Sequence, residues 1–313
     1  MSHSYAPVVV FAYNRPDHLR QTLAALAEAD LAGDSRVRVY ADGARNEAAR
    51  EGVAAVRTVL VDPVWRDRFA AFEVVASDEN KGLAKAIVGG VTGVVEQAGR
   101  VIVLEDDLIV SRDFLRFMND ALDFYQSDQT VGSISGFCPL KAPPAGYTHD
   151  VMRVPRNCST GWATWADRWR AVDWTAADAP RLNRDPAFRK RFNSAGSDRV
   201  DRLRRQMEGT VSSWSIRFGL WQTASGRDTI FSSFNRLVNS GYDGSGVNTK
   251  AGEAINATFK AEGSPYVLAP VETSPAVLAG FRRVYSGSPL ARLRRFLITA
   301  YDRICPSAPR ASA

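Results

Sequence analysis

The stretch Val101-Ile102-Val103-Leu104-Glu105-Asp106-Asp107-Leu108 constrains this chain more than any other: an unbroken apolar run stops at three consecutive carboxylates. Four apolar, mostly β-branched residues predict a strand buried on both faces. In a parallel sheet the carboxyl ends of the strands open onto the ligand crevice, so such a strand delivers its acids into a site. Like charges this close repel, and a hard divalent cation among the oxygens relieves part of that repulsion. The competing reading is an acidic surface turn that happens to follow a strand.

The order of the surrounding elements favours the site. Val8 to Tyr13 reads as a first buried strand, and Asn14-Arg15-Pro16-Asp17 leads into an amphipathic run through Leu19, Leu23, Leu26 and Ala27. A proline at the helix start and an acid in the first turn suit a strand-to-helix junction. An arginine beside a helix N-terminus is a natural anion site, so Arg15 could face a phosphate or a uracil-like ring. A second strand, Val37 to Ala41, ends at Asp42-Gly43, and a helix from about residue 46 to 61 stops at Asp62-Pro63. Phe72 to Ala76 is a third strand, and Asn80-Lys81-Gly82-Leu83 opens a helix of small residues that ends near Gly99. Beyond the carboxylates come a helix from about residue 112 to 125, with Phe114, Leu115, Met118, Leu122 and Tyr125 on its apolar side, and a strand over 131–136. Alternating strands and helices predict an α/β fold with a mostly parallel, Rossmann-like sheet flanked by helices. Neither the dinucleotide-binding glycine fingerprint nor the P-loop is present, which removes the main support for dehydrogenase and P-loop readings.

The 313 residues, 45% hydrophobic and 24% charged, are ample for a core of ordinary soluble composition. No apolar run approaches the roughly 18 residues of a membrane span. The N-terminus shows neither the charged nor the apolar region of a secretory leader, and three widely spaced cysteines, Cys138, Cys158 and Cys305, suit reduced thiols. Both point to a cytoplasmic location. The net charge of +6 is concentrated beyond residue 280, where seven arginines face Asp302 alone. The body is neutral, so the basic balance does not argue for nucleic acid.

Taken together, Ala12-Tyr13-Asn14-Arg15-Pro16, Asp42-Gly43, Asn80-Lys81-Gly82-Leu83 and Glu105-Asp106-Asp107-Leu108 resemble nucleotide-sugar glycosyltransferases of the GT-A fold. They are similar in particular to the branch related to N-acetylglucosaminyltransferase I, whose D-x-D-type motif reads E-D-D-L, and to family 2-like bacterial sugar transferases. The resemblance covers residues 7 to 250 or so, and the ordered set of four motifs is far more specific than any one of them. It implies a metal-dependent, inverting transfer of a sugar from a nucleoside diphosphate donor, UDP-sugars favoured, to a glycan or lipid-linked acceptor. On that resemblance Arg15 and Asp42 would hold the nucleotide, with Lys81 and Leu83 on the donor side. Asp107 would coordinate Mn²⁺ or Mg²⁺ on the diphosphate, and Glu105 and Asp106 would orient sugar and ribose. The chemistry suits these residue types, since a hard cation stabilises charge building on the leaving phosphate and oxygen-only ligands favour such ions over zinc.

The resemblance divides the chain into a nucleotide-sugar half (1–136), an acceptor and catalytic half of α+β character (137–280) and a basic C-terminal tail (281–313). The segment from Gly161 to Trp174 holds four of the seven tryptophans. In the resembled family a Gly-Trp pair here helps close the donor site, which would give Trp162 that role. Yet Trp162, Trp165 and Trp169 share one helical stripe, and core packing is the better reading for at least two of them. Residues 181–205 read as a loop and a polar helix, either a lid over the donor or a solvated connector. An inverting enzyme needs a carboxylate base opposite the leaving group. The family position for that base, after Trp214, is Ser215, and serine is no base without an activating partner. Asp243 is the reserve candidate, its alternative being a glycine-rich turn residue; Asn248 stands where relatives often carry histidine.

In the tail, Leu290, Leu293, Phe296, Leu297, Tyr301 and Ile304 recur at helical spacing with Arg292, Arg295 and Arg303 off the stripe. Such a helix can lie on the inner, anionic membrane face or pack on the catalytic domain, and both readings stand. Two further functional readings compete. A sugar nucleotidyltransferase should carry a glycine-rich signature that Phe11 to Arg15 lacks. A carbohydrate-binding protein that lost its base would explain Ser215.

Overall fold

The computed structural model describes residues 5–243 and 258–287; the side chains of Tyr242 and Asp243 lie outside that description. Strand β1 (Val8–Ala12), helix α1 (Pro16–Ala27), β2 (Arg36–Ala41), α2 (Arg50–Leu60), β3 (Ala71–Ala76), α3 (Leu83–Ala98) and β4 (Arg100–Glu105) follow the expected order. Then come β5 (Leu108–Val110), α4 (Phe114–Phe124), β6 (Val131–Ser135), β7 (Val151–Val154) and β8 (Trp162–Trp165). Helices α5 (Ala166–Arg170), α6 (Arg181–Arg184), α7 (Pro186–Phe192), α8 (Arg199–Met207) and α9 (Trp214–Ala224) lead to β9 (Asp228–Ser232), β10 (Leu237–Asn239) and α10 (Pro275–Tyr285).

Eight strands form one sheet in the order β3-β2-β1-β4-β8-β6-β9-β7. The first four are mutually parallel; β8 runs antiparallel to β4 and β6, β6 and β9 are parallel, and β7 closes the far edge antiparallel. Side chains alternate between two layers with the period of two that a strand imposes. Val8, Val10, Ile102 and Leu104 meet α1, α2 and α4 in one core, while Val9, Phe11, Val101 and Val103 meet α3 and an aromatic cluster in the other. Gly90 permits the α3 layer to approach closely, since a Cβ there would lie 2.9 Å from the Phe11 ring. The chain order 3-2-1-4 reverses between β1 and β4, and such a switch point opens a crevice at the carboxyl ends of the strands.

Two expectations are corrected. The tryptophans of the Gly161 segment do not share a helical stripe: Trp162 and Trp165 lie on strand β8, where odd spacing sends them to opposite faces, and only Trp169 is helical. A spacing of three satisfies a helix face but splits a strand. Nor does residue 181 begin a loop. Leu182, Phe188, Phe192 and Leu203 from α6, α7 and α8 pack with Ile216 and Leu220 of α9 as a separate core. The tail from residue 288, with the membrane-helix reading, Asn248 and Cys305, lies outside the described residues. Helix α10 crosses the 280/281 boundary, burying Phe281 against Phe231 at 5.0 Å between ring centroids. Cys138 and Cys158 are free thiols, and no helix among the described residues is long and apolar enough to cross a membrane.

Candidate functional site

Glu105 is the last residue of β4, and it pairs with Phe11 of β1, two residues before Tyr13. The turn after each strand therefore reaches the same crevice. The backbone N–H of Tyr13 donates to Asp106 Oδ2 at 3.1 Å. Thr22, on the buried side of α1, donates its hydroxyl to the Asp106 carbonyl at 2.8 Å. Arg15 precedes Pro16 at the start of α1, and its guanidinium bridges Asp106 and Asp107, donating to Asp107 Oδ2 at 2.9 Å. Asp106 and Asp107 are only 3% and 5% exposed, so two nearly dry acids, with the partly exposed Glu105 beside them, face one cation.

The second half of the chain holds the other side of the cluster. Strand β10 pairs antiparallel with β5, placing Asn239 opposite Leu108, and Ser240 donates its N–H to the Asp107 carbonyl at 2.8 Å. Gly241 lies so close that a Cβ would sit 2.4 Å from Asp107 Oδ2 and 2.7 Å from Arg15 Nη1. Only glycine leaves those two groups in place. The tie from Ser240 and Gly241 was not legible in the sequence, because nothing in a single chain announces a three-residue strand pairing with a partner so far away. Thr22 did carry a signal: a polar residue beside the apolar stripe of Leu19, Leu23 and Leu26.

Electrostatics follow from this geometry. Burial opposes the charge of Arg15, but Asp106 and Asp107 outweigh it and hold the guanidinium more firmly protonated than usual. Burial pushes the Asp106 carboxyl up; Arg15 opposes that shift and Asp107 adds to it. For Glu105, burial and then the charges of Asp107 and Asp106 raise the carboxyl to about 8, against the opposing pull of Arg15. The folded state thus binds a proton that the unfolded chain has released. The stability this proton adds is full below the unfolded glutamate range, near pH 4.5, and is lost as pH rises toward 8. Because Glu105 keeps part of its side chain toward solvent, we expect wild type to lose about 2 kcal/mol between pH 5 and 8 relative to Glu105→Gln, without added metal. Urea unfolding across that range measures it, and parallel profiles would contradict the assignment.

The remaining sequence candidates occupy different places. Asp42 directly follows β2 and accepts from the backbone N–H groups of Lys81 at 2.8 Å and Gly82 at 2.9 Å, so its carboxylate clamps the loop before α3. Lys81 is exposed and Leu83 is 39% exposed at the first turn of α3. Trp162 is buried in the aromatic layer, its ring 4.7 Å from Trp214 and 5.6 Å from Trp169. Its contact with Trp214 brings the start of α9 beside the first residue of β8, which pairs with Val103 two residues before Glu105. Ser215 on that helix is half-buried; its hydroxyl lies 3.2 Å from that of Ser213, and its carbonyl accepts from Asn157 Nδ2 at 2.9 Å. Asp243 ends a 3-10 turn, Ser240–Asp243, two residues after the glycine at the cluster.

Fold and site define an α/β protein with a buried arginine–carboxylate cluster at a topological switch point. No protein-family description matches the chain, and no curated protein matches it. Among solved structures it is similar to S. aureus TarS residues 1–349 in complex with UDP, at 12% identity and a TM-score of 0.41 over 74% of this chain and 59% of that one. A second S. aureus TarS structure aligns at 15% identity and a TM-score of 0.36, over 54% of this chain and 30% of that one. UDP-glucose pyrophosphorylase complexed with UDP-glucose aligns at 12% identity and a TM-score of 0.39, over 75% of this chain and 94% of that one. The chain thus spans less than two thirds of either TarS chain.

Proposed function

We propose that this protein is a metal-dependent glycosyltransferase that takes a nucleoside diphosphate sugar, UDP-sugars favoured, as donor and a glycan or lipid-linked molecule as acceptor, with inversion at the sugar. The observation that carries the reading is the cluster itself: the half-buried Arg15 bridges the buried Asp106 and Asp107 at the switch point, with orphaned polar atoms on both signs of charge. Asp107 Oδ1 and Arg15 Nη1 are each buried without a hydrogen-bond partner. Buried polar atoms are normally paired, so these two are suited to bonds that a ligand completes.

The donor set fits a hard cation. Mg²⁺ and ions like it take one or two carboxylates and draw their other oxygens from phosphate and water, and Asp107 Oδ1 is such a carboxylate oxygen. Among the described residues no group of three or more acids, histidines or cysteines is arranged to hold an ion without substrate. Asp107 would hold Mn²⁺ or Mg²⁺, which when bound neutralises charge on the leaving diphosphate. Arg15 supplies a fixed positive charge and an unused N–H beside the same phosphate, while its bridge to Asp106 keeps that carboxylate oriented toward the sugar. Asp42 holds the Lys81–Gly82 backbone as one wall of the nucleotide side.

A second reading is favoured by one observation: the Ser215 hydroxyl lies in hydrogen-bond reach of the Ser213 hydroxyl, which is not a base. A protein with that residue at the base position, and no carboxylate from Asp243 in its stead, would bind donor without transferring sugar.

Calorimetric titration of UDP and GDP with and without Mn²⁺ tests the donor site. We expect micromolar-range binding that requires the metal and weakens about a hundredfold in Asp107→Ala. Absence of nucleotide binding under every metal condition would return the carboxylates to an acidic turn. Release of free sugar from a bound UDP-sugar then separates the transferase from the binding protein.

A further inference from the structure

A second recess lies away from the carboxylate cluster, between α7 and α10, with a volume of about 560 Å³. That is within the ~300–1,000 Å³ of small-molecule sites. Leu182 and Leu278 form an apolar floor, and Arg189, Lys190 and Arg282 surround it with positive charge. No carboxylate lines it among the described residues. Three cations around a partly enclosed recess concentrate anions. Two of them are held in place, Arg282 by donating Nη1 to the Ser194 carbonyl at 3.1 Å and Arg189 by donating Nη1 to the Leu182 carbonyl at 3.3 Å. Lys190 is exposed at the rim.

Charge alone would describe a solvated basic face. Asn193, which also lines the recess, adds a separate feature: its Oδ1 is buried and lacks a hydrogen-bond partner. A buried acceptor of this kind wants an N–H or O–H donor, which a bare anion does not offer. Cations, an orphaned acceptor and an apolar floor together match a group that carries a phosphate and hydroxyls on a carbon skeleton.

We propose that this recess binds the phosphate group of a hydroxylated ligand, a sugar phosphate or polyol phosphate, with Arg189, Lys190 and Arg282 on the phosphate and Asn193 accepting from a hydroxyl. The same chemistry is presented by a soluble phosphodiester carbohydrate and by a glycerol-bearing lipid headgroup. The proposal does not depend on the donor-site reading, because none of these residues touches the carboxylate cluster.

The test uses the full chain with glycerol 3-phosphate, inorganic phosphate, glycerol, and phosphatidylglycerol or phosphatidylcholine vesicles. Glycerol 3-phosphate is expected to bind, glycerol not, and affinity to fall about tenfold or more in both Lys190→Glu and Arg282→Ala. Asn193→Ala should weaken glycerol 3-phosphate and leave inorganic phosphate unchanged. Loss of phosphatidylglycerol-vesicle binding in Lys190→Glu would assign the headgroup as the source; loss confined to soluble glycerol 3-phosphate would assign a soluble ligand. Lys190 is exposed, so its variant should unfold at the wild-type urea midpoint, and nucleotide titrations should be unaltered in it. Failure of wild type to bind either glycerol 3-phosphate or phosphatidylglycerol vesicles, or equal affinities in the variants, would overturn the proposal.

Discussion

Arg15→Ala is expected to destabilise the metal-free protein by about 3 kcal/mol, because it leaves buried carboxylates without the cation that bridges them. Removing one partner of a buried pair costs more than the pair contributes, since the remaining charge keeps its desolvation penalty. Here the remainder is three adjacent acids, so protonation would relieve part of the loss and the deficit should shrink as pH falls. On the proposed reading Mn²⁺ would supply another cation to the same oxygens, and millimolar metal should then restore more stability to the variant than it adds to wild type. Urea unfolding with chelator and with Mn²⁺ measures both effects. A variant as stable as wild type in chelator would show that the carboxylates do not rely on Arg15.

Asp113→Ala is expected to cost about 3–5 kcal/mol for a related reason at a different place. Arg236 is 0% exposed, ion-paired with Asp113, and stacked 4.3 Å from the Phe117 ring centroid and 4.6 Å from that of Tyr266. The same carboxylate accepts from the Ser264 N–H at 3.0 Å and the Ser111 hydroxyl at 2.6 Å. One aspartate thus compensates a buried guanidinium and ties the segment around Ser264 to the start of α4. The consequence reaches the candidate site, because Arg236 immediately precedes β10, whose far end carries the Ser240 bond to Asp107. We therefore expect Asp113→Ala to weaken the proposed metal-dependent nucleotide binding as well. Combining it with Arg236→Met, which removes the orphaned charge, should recover part of the stability; if it recovers none, lost packing rather than the buried charge is responsible.

Much of the N-terminal half was legible because its information is local. The strand from Val101 owes its identity to β-branched apolar residues in succession, α1 to Pro16 and the stripe of Leu19, Leu23 and Leu26, and the turn after β2 to Asp42-Gly43. Parallel βαβ connectivity then leaves few places for the strand ends, so Arg15 and Asp106 meet although 91 residues separate them. The tryptophan segment and the loop expected at the start of residues 181–205 differ from the structure because their spacing supports more than one arrangement, whereas the polar helix expected after that loop is present as α8. Trp162 and Trp165 fit a helix face on paper, and the ladder hydrogen bonds to β4 made them a strand. The polar surface of α8 obscured the apolar pairs that bury α6 and α7 beneath α9.

The amino-acid sequence alone determined the α/β alternation, the placement of acids at strand ends and the absence of a dinucleotide fingerprint, since each depends on residues within one strand, turn or helix. The tertiary structure decided what surrounds those acids: Arg15 between Asp106 and Asp107, Gly241 against both, Asp42 turned to the backbone of Lys81 and Gly82, and a basic recess between α7 and α10. Each of these joins residues far apart in the chain. Their energies arise from burial and proximity, which exist only once the sheet has closed and its neighbours have excluded water.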